Sequence, residues 1–343
     1  MDKKRIAIIG CGGAGNNSVD RLHKKGLKDV ETIAINTDSF HCNFIEADKK
    51  VIIGKDITCG LGTGRVVEIG AKCAEVSRKE ISEVIGNPEL VFLTLGLGGG
   101  TGTGAGPIIG EIAKENGAVV VGIVTLPFSA EGRHRREIAF AGVRTLIEKV
   151  DTVIVNDNDR LLHICRDQPL DKAFSYIDNI VGDIIKDISE GIETHSLINL
   201  SLRDVKEKMR NGGLSTVLYG EAPAFDPSKV VSEALNSPSF DVDYSHANGA
   251  FIQITGGKEL TPDITKGVEE GITYGLSKRA KENVLLSATY NPNYTGKLKV
   301  VSVMTGLQPG ELLSMEKRQL MNLNKNVKTK PKQLQLNEGP WAR

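Results

Sequence analysis

The sequence lacks several features that would settle a function at once. It has no run of eighteen apolar residues, so no transmembrane helix is expected. The first residues are charged (Asp2, Lys3, Lys4, Arg5) with a strand behind them, so no signal peptide is expected. Net charge is also missing: 43 basic side chains balance 43 acidic ones, which argues against nucleic acid as a partner. The five cysteines (Cys11, Cys42, Cys59, Cys73, Cys165) are odd in number and contain no C-x-x-C pair. They read as reduced thiols of a cytoplasmic protein. The six histidines show no metal-ligand spacing, so no metal held by side chains is expected. G-x-x-x-x-G-K-[ST] is absent, which excludes a P-loop nucleotidase.

Glycine is abundant, and it is clustered. Gly98-Gly99-Gly100-Thr101-Gly102-Thr103-Gly104 places five glycines in seven residues, after the apolar strand Leu90–Leu97 and before a helical pattern. So few side chains let backbone N–H groups turn toward one centre, a nest suited to phosphate at a helix N-terminus. The two threonines are expected to add hydroxyl donors. A second cluster, Gly10-Cys11-Gly12-Gly13-Ala14-Gly15, follows the strand Arg5–Ile9 and has the G-x-G-x-x-G spacing. That fingerprint keeps an NAD-dependent oxidoreductase open, with Asp38 beyond the next strand as its ribose acid. A third loop, Gly60-Leu61-Gly62-Thr63-Gly64, follows Val51–Ile53. Three loops after three strands suit a polyphosphate gripped from several sides better than one pyrophosphate.

The segmentation predicts an α/β protein. Strands at 5–9, 31–36, 51–53, 90–95, 118–126 and 152–156 alternate with helices near 16–25, 67–83, 106–115 and 135–149. Near-continuous Val/Ile/Leu strands of this kind form a parallel sheet covered on both faces. Ligands then bind beyond the strands' C-terminal ends, where the glycine loops fall. The spacing of Phe174, Ile177, Val181, Ile184, Ile185 and Ile188 predicts a long helix. The expected plan is a parallel-sheet nucleotide-binding domain over 1–169, a central helix over 170–191, and a loop with a short helix over 192–213. A smaller C-terminal α/β domain over 214–310 and a basic tail over 311–343 follow. Lys317–Arg343 carries seven Lys/Arg against one acid and reads as mobile in isolation.

These motifs resemble the tubulin/FtsZ superfamily, most nearly its prokaryotic, archaeal FtsZ branch. The resemblance covers about Lys4–Leu307. It rests on the Gly98–Gly104 signature, Gly10–Asn17, Ala34–Asp38, Thr125–Phe128, Asn158–Leu162 and Ile254–Gly257. It implies a GTP-binding domain, a central helix and a C-terminal α/β domain, with GTP/GDP and Mg²⁺ as cofactors and the Mg²⁺ held by phosphates and water. By motif position, Gly13, Ala14, Gly15, Asn16 and Asn17 would hold the diphosphate. Gly99, Gly100, Thr101 and Gly102 would hold the β- and γ-phosphates, with Thr63, Gly64 and Thr125 nearby. Glu131 and Arg135 would lie near the ribose and phosphates, Asn158 and Asp178 would read guanine, and Phe174 would stack on the base. Phe174 and Asp178 are four residues apart and share a helix face; alone the pair reads as a solvated Asp beside a core Phe, and beside three phosphate loops it reads as a base site.

Two segments depart from the family pattern. Where the family carries Asn-x-Asp-x-x-Asp, this chain has Asn199-Leu200-Ser201-Leu202-Arg203-Asp204. Asp204 is the expected catalytic acid, acting on the next subunit's nucleotide, and Ser201 stands where the first acid would be. Where the family continues its third loop with a small residue and Asn-Pro-Glu, this chain has Arg65-Val66-Val67-Glu68. Arg65 reads equally as a γ-phosphate contact or as a solvated side chain. The resemblance thus implies a cell-division GTPase that assembles head to tail in the cytoplasm, at the division site on the inner membrane face. The alternative is a divergent paralogue that binds GTP as a weakly hydrolysing scaffold or regulator. The tail, with Trp341 beside Pro340, could contact a membrane anchor or division partner.

Overall fold

The computed structural model describes residues 4–160, 175, 178–183, 185, 196–198, 201–237, 239, 242–308, 310, 312–314 and 316–319. Six strands open the chain: β1 (Ile6–Cys11), β2 (Val30–Asn36), β3 (Lys49–Ile52), β4 (Leu90–Gly96), β5 (Val119–Leu126) and β6 (Thr152–Asp157). All pair in parallel in the order 3-2-1-4-5-6. The side chains of β1, β2, β4, β5 and β6 are buried on both faces, as their Val/Ile/Leu content requires, while edge strand β3 buries only Val51. The order reverses between β1 and β4, the crevice where an open α/β sheet receives its ligand.

The sheet continues into the second half of the chain. The strands β7 (Ser196–Ile198), β8 (Gly213–Pro223), β9 (Gly249–Gly256), β10 (Val284–Tyr290) and β11 (Lys297–Leu307) complete the order 6-8-11-9-10-7. Parallel pairing of Thr152–Ile154 with Gly213–Ser215 joins the halves. The helices are α1 (Gly12–Lys24), α2 (Ser39–Asn43), α3 (Lys55–Thr58), α4 (Val67–Val76), α5 (Arg78–Ile85), α6 (Thr101–Glu115) and α7 (Arg133–Lys149). Later come α8 (Leu202–Met209), α9 (Pro227–Asn236), α10 (Pro262–Thr273) and α11 (Lys278–Lys281). One core lies under α4 to α7 and runs on beneath α9 and α10. The opposite face buries Val19 and Leu22 of α1, Ile180 and Val181 of the helical segment 178–183, and Val205 of α8. These meet Phe251, Val301 and Val303 of the C-terminal strands.

Several boundaries differ from the sequence reading. The pattern over 67–83 is two helices, because the chain breaks at Ser77. α1 and α6 start inside their glycine runs, four and five residues earlier than the apolar spacing indicates (Gly12 against Asn16, Thr101 against Gly106). Close packing explains this. A methyl added at Gly15 would overlap the Thr94 carbonyl oxygen, and one at Gly102 the Gly96 carbonyl oxygen. Helix and strand backbones therefore touch, and packing overrides glycine's poor helix propensity. Near the C-terminus, residues 316–319 are helical. Glu316 pairs with Arg144 of α7 at 2.5 Å, and Gln319 donates to Asp157 at 2.7 Å. The segment expected to open a mobile tail at Lys317 is thus docked on the first domain, because its side chains find charged partners there. Most of the central helix and the tail beyond residue 319 lie outside the described residues.

Candidate functional site

The first three glycine segments converge on one cleft of about 600 Å³ at the C-terminal ends of β1, β4 and β5. This is the size of a nucleotide pocket. Its floor is made by α1 and α6. Neither helix has a side-chain cap, and neither carries an acid in its first turn. α3, α4, α5 and α7 also lack a side-chain cap, while α2, α8, α9, α10 and α11 are capped by an Asp, Ser or Thr side chain; α1 and α6 are the uncapped helices whose glycine-bearing first turns line the cleft. Uncapped first-turn N–H groups need another acceptor, and a phosphate oxygen is a strong one. Gly98 sits at φ +90, which lets the chain turn from β4 into the nest.

Side chains around the cleft fit a polar, anionic ligand. Thr101 Oγ1 and Thr37 Oγ1 are 2.7 Å apart. Thr103, expected as a second donor, is instead buried and accepts the Gly98 N–H at 3.0 Å, so it fixes the loop from behind. Arg135 pairs with Glu131 at 2.5 Å, and its Nε is buried without a partner. Asn158 Oδ1 is likewise buried without a partner. A ligand in the cleft can satisfy these two atoms, each of which costs about 1–3 kcal/mol while unpaired. Arg136, fully buried on α7, braces the wall: it binds Asp157 at 2.9 Å, Asp159 at 2.8 Å and the Pro127 carbonyl at 2.8 Å. The Cys11 thiol, at the base of the first loop, is pushed up to about 12 by burial, so it is no nucleophile. Among the described residues, no cluster of three His, Cys, Asp or Glu side chains could hold a metal ion.

A model of the tubulin/FtsZ family GTPase domain matches residues 5–166, and one of the FtsZ C-terminal domain matches residues 213–308. The chain is 45% identical to cell division protein FtsZ 2 of Halobacterium salinarum over 310 residues, which is 90% of this chain and 78% of that protein. It is 42% identical to FtsZ 2 of Methanocaldococcus jannaschii over 316 residues, 91% of this chain and 82% of that one. This chain belongs to the tubulin/FtsZ family. Its structure superposes on an FtsZ dimer subunit from M. jannaschii with a TM-score of 0.80, at 40% identity and 89% coverage of both chains. The α/β fold with an N-terminal GTPase domain and an FtsZ C-terminal domain is therefore that of the family.

The cleft of this family member gathers most of the residues singled out from sequence. Gly13, Ala14, Asn17, Thr63, Gly64, Gly99, Gly100, Thr101, Gly102, Thr125, Glu131, Arg135, Asn158 and Asp178 all line it. Gly15 and Asn16 are not among the lining residues. Gly15 is packed against β4, and Asn16 is buried with its amide donating to the Ile35 carbonyl at 3.2 Å. Both shape the loop from the inside. Phe174 lies outside the described residues. Asp38, the acid an oxidoreductase would need, caps α2 by accepting the His41 N–H at 3.0 Å. With the family assigned, the NAD reading falls.

Among the lining residues that the sequence reading did not name as site residues are Arg21 and His41. Arg21 lies one turn beyond Asn17 on the same face of α1, and its Nε reaches Asp178 Oδ2 at 2.5 Å. The i, i+4 spacing from Asn17 was the available signal. His41 of α2 also faces the cleft. Asp204 stands elsewhere. It is exposed at the start of α8, where Ser201 and Asp204 form a reciprocal cap: Ser201 Oγ donates to Asp204 Oδ2 at 2.6 Å and accepts the Asp204 N–H at 3.1 Å.

Proposed function

We propose that the chain binds GTP in this cleft, hydrolyses it, and assembles head to tail into a cytoplasmic cell-division filament. One observation carries the reading: the cleft and Asp204 lie at opposite ends of the same sheet. The cleft opens beyond Gly96, the last residue of β4. Lys206 of α8, two residues after Asp204, pairs at 2.8 Å with Glu89, which immediately precedes β4. Seven residue steps from Glu89 to Gly96 separate those points, about 23 Å at roughly 3.3 Å per residue. Asp204 cannot reach its own cleft. Stacking one copy on the next brings the acid of one to the cleft of the other, and such a heterologous contact that does not close by rotation gives a filament.

In the assembled site, the glycine nests hold the phosphates, and Asn158 and Asp178 complement the guanine edge. Asp204 from the neighbouring subunit accepts a hydrogen bond from the attacking water and orients it in line with the γ-phosphorus. Mg²⁺, held by phosphate oxygens and water, would neutralise charge on the phosphates. The Ser201 bond to Asp204 favours a second reading, in which hydrolysis is slow and the chain serves as a GTP-dependent scaffold. Asp204→Ala tests the first reading. It should abolish hydrolysis while leaving GTP bound; unchanged turnover would remove Asp204 from the mechanism.

A further inference from the structure

Arg136 of α7 is fully buried and stands behind the cleft rather than in it. Its Nη1 donates to the Pro127 carbonyl at 2.8 Å, to Asp159 Oδ2 at 2.8 Å and to Ser129 Oγ at 3.3 Å, and its Nη2 donates to Asp157 Oδ2 at 2.9 Å. Pro127, Phe128 and Asn158 all line the cleft. Asp157 Oδ1 accepts the Asp159 N–H at 3.1 Å, which closes a turn around Asn158. Asp159 in turn accepts the Ser129 N–H at 2.9 Å, which ties that turn to the 127–131 segment. Two carboxylates and one guanidinium thus set where this part of the wall stands.

A further member of this cluster comes from the far end of the chain. Gln319 Nε2 donates to Asp157 Oδ2 at 2.7 Å, and Gln319 Oε1 accepts from Arg136 Nη2. A carboxamide donates and accepts at once, so it fits between a carboxylate and a guanidinium; an ionised carboxylate only accepts and an ammonium only donates. The amide also gives Asp157 a second donor where Asp157 and Asp159 share one arginine. The segment reaches this point along α7. Leu312 is buried in the core, Glu316 pairs with Arg144 at 2.5 Å, and Gln319 meets Arg136, about two turns nearer the start of α7. It therefore runs antiparallel to α7 and arrives at the back of the cleft wall.

We propose that Gln319 is a positioning residue of the nucleotide site, and that docking of its segment on α7 controls how long the site retains nucleotide. The inference rests on the cleft being the GTP site. With the segment docked, the Asp157–Arg136 pair is held from behind and the turn carrying Asn158 is fixed. With the segment lifted, a buried carboxylate loses a donor, a buried guanidinium loses an acceptor, and that turn loses its support. Coupling between two sites is reciprocal, so nucleotide favours the docked segment by the same factor by which docking favours nucleotide. A pull on the chain beyond residue 319 then acts on nucleotide retention without touching the cleft.

The measurement is the release rate of a fluorescent GDP analogue from the full-length protein, taken below the assembly concentration. Gln319→Leu keeps much of the bulk and removes the amide; it should speed release about fivefold or more. Arg144→Glu breaks the Glu316 anchor at a residue outside the cleft lining and should also speed release. Adding Glu316→Arg to Arg144→Glu should bring the rate back to within about twofold of wild type, a rescue that loss of packing alone would not give. Amide hydrogen exchange at residues 316–319 gives the reciprocal reading and should slow when GDP is bound. Release unchanged in either single variant, a fast rate that the charge swap does not restore, or exchange indifferent to nucleotide would each overturn the proposal. Wild-type protein that binds no guanine nucleotide would instead overturn the cleft assignment itself, a separate failure.

Discussion

Asp178 lines the cleft with one carboxylate oxygen held by Arg21 Nε at 2.5 Å, while Asn158 Oδ1 has no partner. In the proposed reading these two side chains form the base site, where an acceptor and an amide complement the guanine edge better than the adenine edge. Unpaired buried polar groups cost about 1–3 kcal/mol each, so ATP should bind at least tenfold more weakly than GTP. Asp178→Ala should erase most of that preference in a competition assay; equal affinity of the wild type for both nucleotides would contradict the assignment. At Asp204, the proposed catalytic acid, Ser201 Oγ donates to the carboxylate at 2.6 Å. Ser201→Asp keeps an N-cap oxygen, removes the donated hydroxyl and restores the first acid of the family's Asn-x-Asp-x-x-Asp pattern. Turnover of assembled protein should rise by roughly tenfold or more, since a positioned catalytic group contributes 10²–10⁴-fold. Ser201→Ala should cost about 1 kcal/mol of stability, read from the denaturation midpoint. Most cleft residues were legible because glycine runs after apolar strands announce themselves. Arg21 and the inward turn of Asn16 were not, since a helix starting at Gly12 rather than Asn16 rotates which residues face the ligand.

Helix α8 is tied to the sheet by Glu89, which pairs with Arg5 at 2.6 Å and Lys206 at 2.8 Å. Arg5 first, then Lys206, hold the Glu89 carboxyl at about 2, below its ordinary 4.5. A carboxyl depressed in the folded state contributes stability above its unfolded pKa, and loses it as pH falls toward about 2. Thermal melts should therefore show the wild type weakening between pH 5 and 2 more than Glu89→Gln does. Glu89 is 39% exposed, so solvent screening limits the difference at pH 7 to under about 1 kcal/mol. The doubly buried strands β1, β2, β4, β5 and β6 were legible as unbroken apolar runs. β7 was not, because three residues carry no periodicity. The N-terminal turns of α1 and α6 were hidden because glycine reads as loop until a neighbouring backbone is in place.

The whole molecule is one sheet shared by two halves, with a helical segment packed across both. Lys299 of β11, 5% exposed, pairs with Asp183 of that segment at 2.7 Å and lies 4.9 Å from the Tyr294 ring. Burial alone would lower the Lys299 pKa, but Asp183 outweighs it and the net direction is up. Asp183→Asn leaves a buried ammonium without its carboxylate. It should cost about 1–3 kcal/mol, less than a fully buried pair because Asp183 is partly solvated, measured by denaturant unfolding. The overall plan followed from strand–helix alternation. The eleven-strand continuity did not, because the β6–β8 junction is only three residue pairs long. At this scale the central claim is that a single copy holds an incomplete hydrolytic site, with the cleft at one end of the sheet and Asp204 at the other. The measurement that tests it most directly is GTP turnover per molecule as a function of protein concentration. Turnover should be negligible in dilute solution and rise once subunits stack. A rate per molecule that stays constant from dilute to concentrated protein would show that the site is complete within one chain and would contradict the account.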